Sequence, residues 1–325
     1  MNKIFIIGGA GYVGSKLVPL LLSNGYSVGV YDLFIYGNTL EENANLKKIK
    51  GDIRDLNKIK KFIGNYDVVI HLACISNDPS FDLDPELGKS INFDPFEKLV
   101  LLSKEKGIKK FVYASSSSVY GIKDEEDVDE TFSLKPLTDY SKFKVMCEEI
   151  LLRYTSKNFI GCIIRPATVC GYSKRQRLDV VVNILTNLAY HKNEITVFGG
   201  NQLRPNININ DMSRAYMHIL QSNEKDINGE IFNVGYENFS LTKLANLVKE
   251  SIGKNIEIKT VPTNDNRSYH VSSKKIKQKL NFENKFTIKD AIVEMKDAFE
   301  KKLFKNPLEN ELYFNIKRMK SIDLK

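Results

Sequence analysis

Ser116 is followed 24 and 28 residues later by Tyr140 and Lys144. A serine, a tyrosine and a lysine at such spacing can move a proton off an alcohol while its carbon loses hydride. Tyr140 and Lys144 stand at i and i+4, so on a helix both side chains share one face. A free phenol ionises near pH ~10, too high for a base at neutral pH. A nearby ammonium, helped by a cationic nicotinamide, favours the phenolate. Tyr140 can then take the alcohol proton, Lys144 can also hold the nicotinamide ribose, and Ser116 can orient the substrate oxygen. The Tyr-x-x-x-Lys pattern also occurs at Tyr12/Lys16 and Tyr313/Lys317. Only the middle copy follows an apolar run, Lys110-Phe-Val-Tyr-Ala-Ser, that ends in a serine cluster. Within that cluster Ser115 reads as structural.

A dinucleotide is the matching hydride acceptor, and the chain opens with Gly8-x-x-Gly11-x-x-Gly14 between an apolar run and an amphipathic stretch. That context is what the motif requires. The first glycine allows a tight turn, the second lets backbone approach a diphosphate, and the third lets helix and strand pack closely. Gly8, Gly11, Tyr12, Val13 and Gly14 are therefore expected at the cofactor, with the helix N-terminus facing its phosphates. Asp32, at the end of the second apolar run, suits ribose hydroxyls and repels a 2′-phosphate, which favours NAD over NADP. Asp52 and Ile53 end the third run, where adenine would lie. Leu72 and Ala73 end the fourth, near the cofactor's ribose and diphosphate.

These residues need strands that end on one edge of a sheet. Strands are predicted over 3–7, 27–31, 46–50, 67–72, 110–115 and 158–165, and helices over 12–23, 56–63, 85–106 and 138–156. Pro95 should kink or restart the third helix. Repeated β-α units with apolar strands imply an α/β fold, a doubly wound parallel sheet of the Rossmann type. After Pro166 the rhythm changes. A basic loop over 173–177 is followed by predicted helices over 179–190, 212–221, 241–252 and 288–302. We read 1–165 as an NAD-binding domain and 166–325 as a smaller lobe for the substrate, with part of 205–235 returning to the sheet. The Lys-rich segment after Phe304 is expected to fray or to pack on a partner.

Composition narrows the class. The 325 residues carry 48 Lys and Arg against 40 Asp and Glu, a formal charge of +8. The basic residues are scattered among acidic ones without interleaved stacking aromatics, so a nucleic-acid partner is not expected. The surplus suits an anionic small molecule. Cys74, Cys147, Cys162 and Cys170 form no Cys-x-x-Cys pair and read as small buried hydrophobes in a reducing compartment. The four histidines lack metal-ligand spacing, so no metal is expected. No signal-peptide pattern and no bilayer-length apolar run are present, and the reading is cytoplasmic, with no membrane partner.

The motif set resembles the extended short-chain dehydrogenase/reductases, in their NAD-dependent nucleotide-sugar epimerase/dehydratase group. The residues that carry the resemblance are the glycine turn, His71-Leu-Ala, Ala114-Ser-Ser-Ser-Ser-Val-Tyr-Gly121, Tyr140-x-x-x-Lys144, Arg165-Pro-Ala-Thr, Arg204-Pro-Asn-Ile and Arg267-Ser-Tyr. It implies a nucleotide-diphosphate sugar as partner, with Asn92, Ser117, Ser118, Thr168, Arg177, Asn183, Arg204 and Arg267 at the substrate. Arg204 and Arg267 would hold the diphosphate, a task that suits the guanidinium fork.

The group's 4,6-dehydratases carry Glu, and its epimerase/reductases Cys, where this chain has Ser118, so redox at C4 remains. The runs 165–172 and 177–183 resemble bacterial surface-sugar enzymes of the GDP-manno-heptose 4-dehydrogenase type, which implies a GDP-sugar in preference to a UDP-sugar and a role in capsule assembly. A 4-epimerase passing through the same 4-keto sugar is the alternative. A non-catalytic NAD sensor is disfavoured by the intact Ser116, Tyr140 and Lys144. Thr168 and Cys170 depart from the Asn and Tyr common in the group. Family members pair through the helices matching 85–106 and 138–156, which implies a homodimer.

Overall fold

The computed structural model describes every residue except Met1, Asp124, Lys254, 264–267 and Tyr269. Six strands come first: β1 (Lys3–Ile7), β2 (Ser27–Asp32), β3 (Leu46–Lys50), β4 (Val68–His71), β5 (Lys110–Ala114) and β6 (Ile160–Pro166). They are followed by β7 (Thr168–Cys170), β8 (Glu194–Phe198), β9 (Leu203–Asn208), β10 (Glu230–Val234), β11 (Glu237–Ser240) and β12 (Glu257–Val261). A seven-stranded sheet in the order β10-β6-β5-β4-β1-β2-β3 forms the body, and every pairing in it is parallel. The strand order reverses between β1 and β4, the switch point beyond whose carboxyl ends such sheets bind ligands.

Residues alternate between the two faces, as strand geometry requires. Ile4, Ile6, Val28 and Val30 point to one core, where they meet Leu17, Val18, Leu21, Met212, Ala215 and Ile219. Phe5, Ile7, Val69 and Phe111 point to the other, against Ile59, Phe96, Leu99, Cys147 and Leu151. Burying each such large side chain contributes about 1.5–3 kcal/mol. The strand β10, from the second half of the chain, pairs with β6 and closes the sheet edge.

The helices preceding the site are α1 (Gly14–Ser23), α2 (Leu56–Ile63), α3 (Asp78–Phe81), α4 (Pro85–Asn92), α5 (Phe96–Glu105) and α6 (Asp139–Tyr154). The first starts at Gly14 rather than at Tyr12, because residues 8–13 form the glycine turn. The predicted 85–106 helix is broken into two at 93–95, with Pro95 as the cap of α5. The sequence reading missed α3. The later helices are α7 (Val181–Lys192), α8 (Ile209–Gln221), α9 (Glu224–Ile227), α10 (Leu241–Ile252), α11 (Lys274–Leu280), α12 (Ile288–Glu300) and α13 (Asn315–Ser321). Helices α7, α10 and α12 build a separate core with β8 through Leu185, Ile195, Leu244, Val248 and Ile292. The segment after Phe304 folds back onto the first half: Met319 of α13 is buried with Tyr31 and Ile53.

The helix that carries Tyr140 is fixed at both ends. At its start Thr138 accepts from the Ser141 N–H at 3.3 Å and Ser141 Oγ accepts from the Thr138 N–H at 3.1 Å, a capping box. Further along, Glu148 takes Arg165 Nη2 at 2.6 Å and Nε at 3.0 Å, with both side chains 3% exposed. Ser115 donates to the same carboxylate. Arg165 Nη1 donates to the Tyr120 hydroxyl at 2.8 Å, and Tyr120 donates to Asn233 at 2.8 Å. This network ties α6 to β5, β6 and β10. Removing one partner leaves the other buried and unpaired, which costs about 3–5 kcal/mol. Glu148→Ala should lower stability by about that amount, read as a fall in the urea midpoint without a change in slope.

Candidate active site

A cavity of about 440 Å³ opens at the carboxyl ends of the central strands. From the first half of the chain it is lined by Gly8, Gly11, Tyr12, Val13, Gly14, Leu72, Ser116, Ser117, Ser118, Tyr140 and Lys144, and from the second by Thr168, Arg177 and Arg204. Residues from both halves of the chain thus converge on one space.

The glycine turn can be tested for fit to a dinucleotide on its own geometry. A Cβ at Gly8, where φ is +86°, would lie 2.4 Å from the Ala73 nitrogen, and one at Gly14 would lie 2.3 Å from the Gly9 oxygen. Those two glycines are required by the protein's own packing, and Ala73 acts from behind the turn. A Cβ at Gly11 would meet only the Gly8 oxygen, at 3.2 Å. Gly11 therefore keeps open a surface on the cavity, as a diphosphate needs. Among the described residues the N–H groups of Tyr12 and Val13 have no backbone acceptor. Asp32 Oδ2 accepts from Ala10 N–H at 2.9 Å and Oδ1 from Phe34 N–H at 2.8 Å. These bonds aim the carboxylate at the end of β2 and leave lone pairs on both oxygens. Burial holds its carboxyl above the usual range, against those backbone bonds. The residues fit a dinucleotide.

At the reacting end, Ser116 caps a short 3-10 helix over Ser117–Tyr120 and bonds Ser118 Oγ at 2.9 Å. Ser116 and the Tyr140 phenol line the same space, and the serine hydroxyl lowers the phenol's pKa. Lys144 Nζ donates to the Ala114 carbonyl at 2.6 Å and sits 5.8 Å from the Tyr140 ring centre. The electrostatics differ from the sequence expectation. Burial raises the Tyr140 phenol well above its ordinary value, Cys74 and Asp78 push the same way, and Ser116 and Arg177 only partly oppose them. Burial outweighs nearby cations because the phenolate loses its water. His71, packed edge-on against Tyr113, is held neutral, its pKa lowered to about 3 by burial and by Lys144. It is therefore not a source of positive charge at working pH.

Several residues expected at ligands are committed elsewhere. The Asn92 amide bonds both backbone groups of Ile75, at 2.8 and 3.0 Å, and pegs the loop after β4. The Asn183 amide is fully buried, bonding Gly171 N–H, the Arg177 carbonyl and the Tyr12 hydroxyl. Neither is among the residues that line the cavity, and the Asn183 amide bonds the Tyr12 hydroxyl, which does line it. Asp52 is clamped by Arg54 at 2.7 Å. Burial raises its carboxyl, but the Arg54 bonds more than offset this and hold it low. Ile53 is part of the core. Arg204 extends from β9 into the cavity. Arg267 lies outside the described residues.

Sequence reasoning missed Tyr36, Cys74, Ser76, Asp78, Arg175, Asp179 and Asn315, all of which line the cavity. Arg175 lies within the loop over 173–177 already noted as basic and Asp179 just after it, and Asp78 follows the fourth strand, but nothing local marked Asn315. Both added carboxylates are engaged. Asp78 accepts from Thr138 Oγ1 at 2.6 Å, and Asp179 takes Arg177 Nε at 2.8 Å and Asn315 N–H at 2.7 Å. Among the described residues no cluster of metal-ligating side chains occurs, and no helix is long and apolar enough to cross a membrane.

Comparison with known proteins agrees with this geometry. Residues 4–235 match the model of the NAD dependent epimerase/dehydratase family. The chain is 25% identical to a UDP-glucose 4-epimerase of Lactobacillus helveticus, over 76% of this chain and 81% of that one. It superposes with a TM-score of 0.84 on the UDP-glucose 4-epimerase of Thermotoga maritima, solved with UDP-glucose, at 25% identity over 93% of this chain and 100% of that one. The UDP-glucuronic acid 4-epimerase of Bacillus cereus, solved with UDP-glucuronic acid and NAD, gives 0.83 at 26% identity over 92% and 99%.

If Tyr140 must lose its proton to act, groups that lower its pKa set the pH at which activity rises. Ser116→Ala and Arg177→Gln each remove a lowering influence. Both should move the ascending limb of the kcat/KM profile to higher pH, whereas a limb that stays put would separate Tyr140 from the titration.

Proposed function

The chain belongs to the NAD dependent epimerase/dehydratase family, and from that premise we propose that it oxidises C4 of a nucleotide-diphosphate sugar to the 4-keto sugar. The observation that carries this is the convergence of Ser116, Tyr140 and Lys144 on one cavity, with the Lys144 ammonium 5.8 Å from the ring. Ser116 would orient the C4 hydroxyl, and Tyr140 would take its proton. Bound NAD supplies the hydride acceptor and, when oxidised, a positive charge near the phenol. Arg204, on the second half of the chain, is suited to the sugar nucleotide's diphosphate.

Dehydration or C3/C5 inversion would need a further acid–base pair. Ser118 stands beside Ser116, and the carboxylates Asp78 and Asp179 are held by Thr138 and by Arg177 and Asn315. This supports redox at C4 alone. Within that reading the substrate is a GDP-sugar of the heptose or hexose type, made for a bacterial surface polysaccharide, which the runs 165–172 and 177–183 support. Two copies would pair through α4, α5 and α6, where Leu101 and Met146 are exposed. A second reading, 4-epimerisation of a UDP-sugar, is favoured by the names of the similar proteins above.

The test is mass spectrometry of GDP- and UDP-sugars, GDP-manno-heptose among them, incubated with enzyme and NAD. A product lighter by two hydrogens is expected; an isomer of unchanged mass would overturn the dehydrogenase in favour of the epimerase. Tyr140→Phe should lose roughly 10²–10⁴-fold in kcat, the usual worth of a positioned base, while still binding NADH. Retained turnover in that variant would overturn both readings.

A further inference from the structure

Residues 310–325 cross three loops that leave the sheet at the dinucleotide's end of the cavity. Arg318 Nε donates to the Ile35 carbonyl, after β2, at 2.5 Å. The Lys325 carbonyl accepts from Arg54 Nη2, after β3, at 2.6 Å. Asn315 Nδ2 donates to Ser76 Oγ, after β4, at 3.2 Å. Asn315 also accepts from Arg175 Nη2 at 2.8 Å, and its N–H donates to Asp179. Leu324 and Met319 pack on the core beside Tyr31 and Ile53. The segment is thus a wall of the cavity, with Asn315 4% exposed and facing into it.

Arg175 is the residue this wall holds. It is 4% exposed, and its guanidinium lies 3.6 Å over the Tyr36 ring. Among the described residues it bonds only neutral oxygens, Asn315 Oδ1 and, at 3.3 Å, the Gln176 carbonyl, and its Nε has no partner. A buried cation with no anion in direct contact is costly, and burial, only partly offset by Tyr36, Asp179 and Asp32 nearby, drives its pKa down to about 10. Its backbone N–H reaches Ser15 Oγ, in the first turn of α1, at 3.3 Å. Ser173 Oγ, two residues before it, bonds both Ser15 Oγ at 2.6 Å and the Tyr12 carbonyl at 3.1 Å. These bonds place the Arg175 backbone beside the glycine turn, and its guanidinium lines the same cavity as Gly8, Gly11 and Gly14, where a dinucleotide's diphosphate fits.

We propose that Arg175 binds the diphosphate of the dinucleotide and that residues 310–325 hold it there, through Asn315 and Arg318, so that the cofactor is retained between turnovers. This rests on the NAD reading of the cavity given above but not on which sugar is oxidised. Guanidinium–phosphate bonds are charge-assisted, and closing the cavity over them slows release.

The measurement is the rate at which NADH leaves the full chain, followed by its fluorescence as a second dehydrogenase consumes the released cofactor, with no sugar present. Arg175→Gln and Arg318→Ala should each speed release roughly tenfold or more, about one charge-assisted bond's worth. Arg175→Lys should recover part of the Arg175→Gln loss. Lys320→Ala, on the exposed side of α13, is the control and should release at the wild-type rate. Arg318 is half-buried near the surface, so that variant reads the wall even if Arg175→Gln fails to fold. Release rates within twofold of wild type in Arg318→Ala and in every folded Arg175 variant would overturn the inference and leave the C4 reading standing. Failure of the wild type to bind NADH at all would overturn both.

Discussion

The Glu148–Arg165 ion pair is the constraint on which the reacting end depends. Two full charges at 3% exposure are unfavourable unless their geometry and remaining bonds compensate. Here the pair is bidentate, and the spare donor and acceptor sites go to Tyr120 and Ser115. Ser115 adjoins Ser116, Tyr120 ends the short helix that Ser116 caps, and Glu148 lies one turn beyond Lys144 on the same helix. The pair thus fixes the distance between the serine cluster and the tyrosine–lysine face. Its reach extends through Tyr120 to Asn233 of β10, whose amide also bonds the Val128 and Ser272 carbonyls at 3.3 and 3.1 Å. One buried pair therefore registers the catalytic helix, the sheet and the returning strand against each other.

What was legible in the sequence follows from how local its cause is. Strand and helix periodicity, the glycine turn and the Tyr140/Lys144 spacing depend on neighbours within a few residues, and they are found as read. The boundaries moved where side-chain contacts decide. The first helix begins at Gly14 because residues 8–13 are held by turn bonds, among them Gly11 N–H to the Gly8 carbonyl at 3.2 Å. Residues whose bonds reach distant partners are harder to place from the sequence. Asn183 suits a sugar hydroxyl by type, but its amide is used up on Gly171, Arg177 and Tyr12. Asn315 carries no local sign at all, since its bonds reach Ser76, Arg175 and Asp179, between 136 and 239 residues away.

The loop 171–179 illustrates a cost that sequence hides. Arg175 and Arg177 are both buried, and Arg177 disfavours the charged state of Arg175. Asp179 pairs directly with Arg177, whose Nη2 still lacks a partner among the described residues, and reaches Arg175 only at longer range. An arrangement with surplus buried positive charge is unfavourable in isolation, and it becomes favourable when an anion enters. The surplus is local and aimed into the cavity, unlike the overall +8, which is spread over exposed lysines paired with glutamates and aspartates.

That local field also bears on Tyr140. In a water-filled site a charge several ångströms from the phenol would be screened, and moving it would change little. Tyr140 is buried, so its ionisation responds strongly to each neighbour. Cys74 and Asp78 disfavour the phenolate, and Ser116 and Arg177 favour it. The chain by itself leaves the balance on the protonated side. A further positive charge bound beside the ring shifts the balance toward the base, by about 1.4 kcal/mol for each unit of pKa. Without a bound cation the phenol would therefore stay protonated, and an oxidised nicotinamide held beside it would favour the phenolate. Burial would let the charge of a bound cofactor set the protonation of Tyr140 without a separate switch.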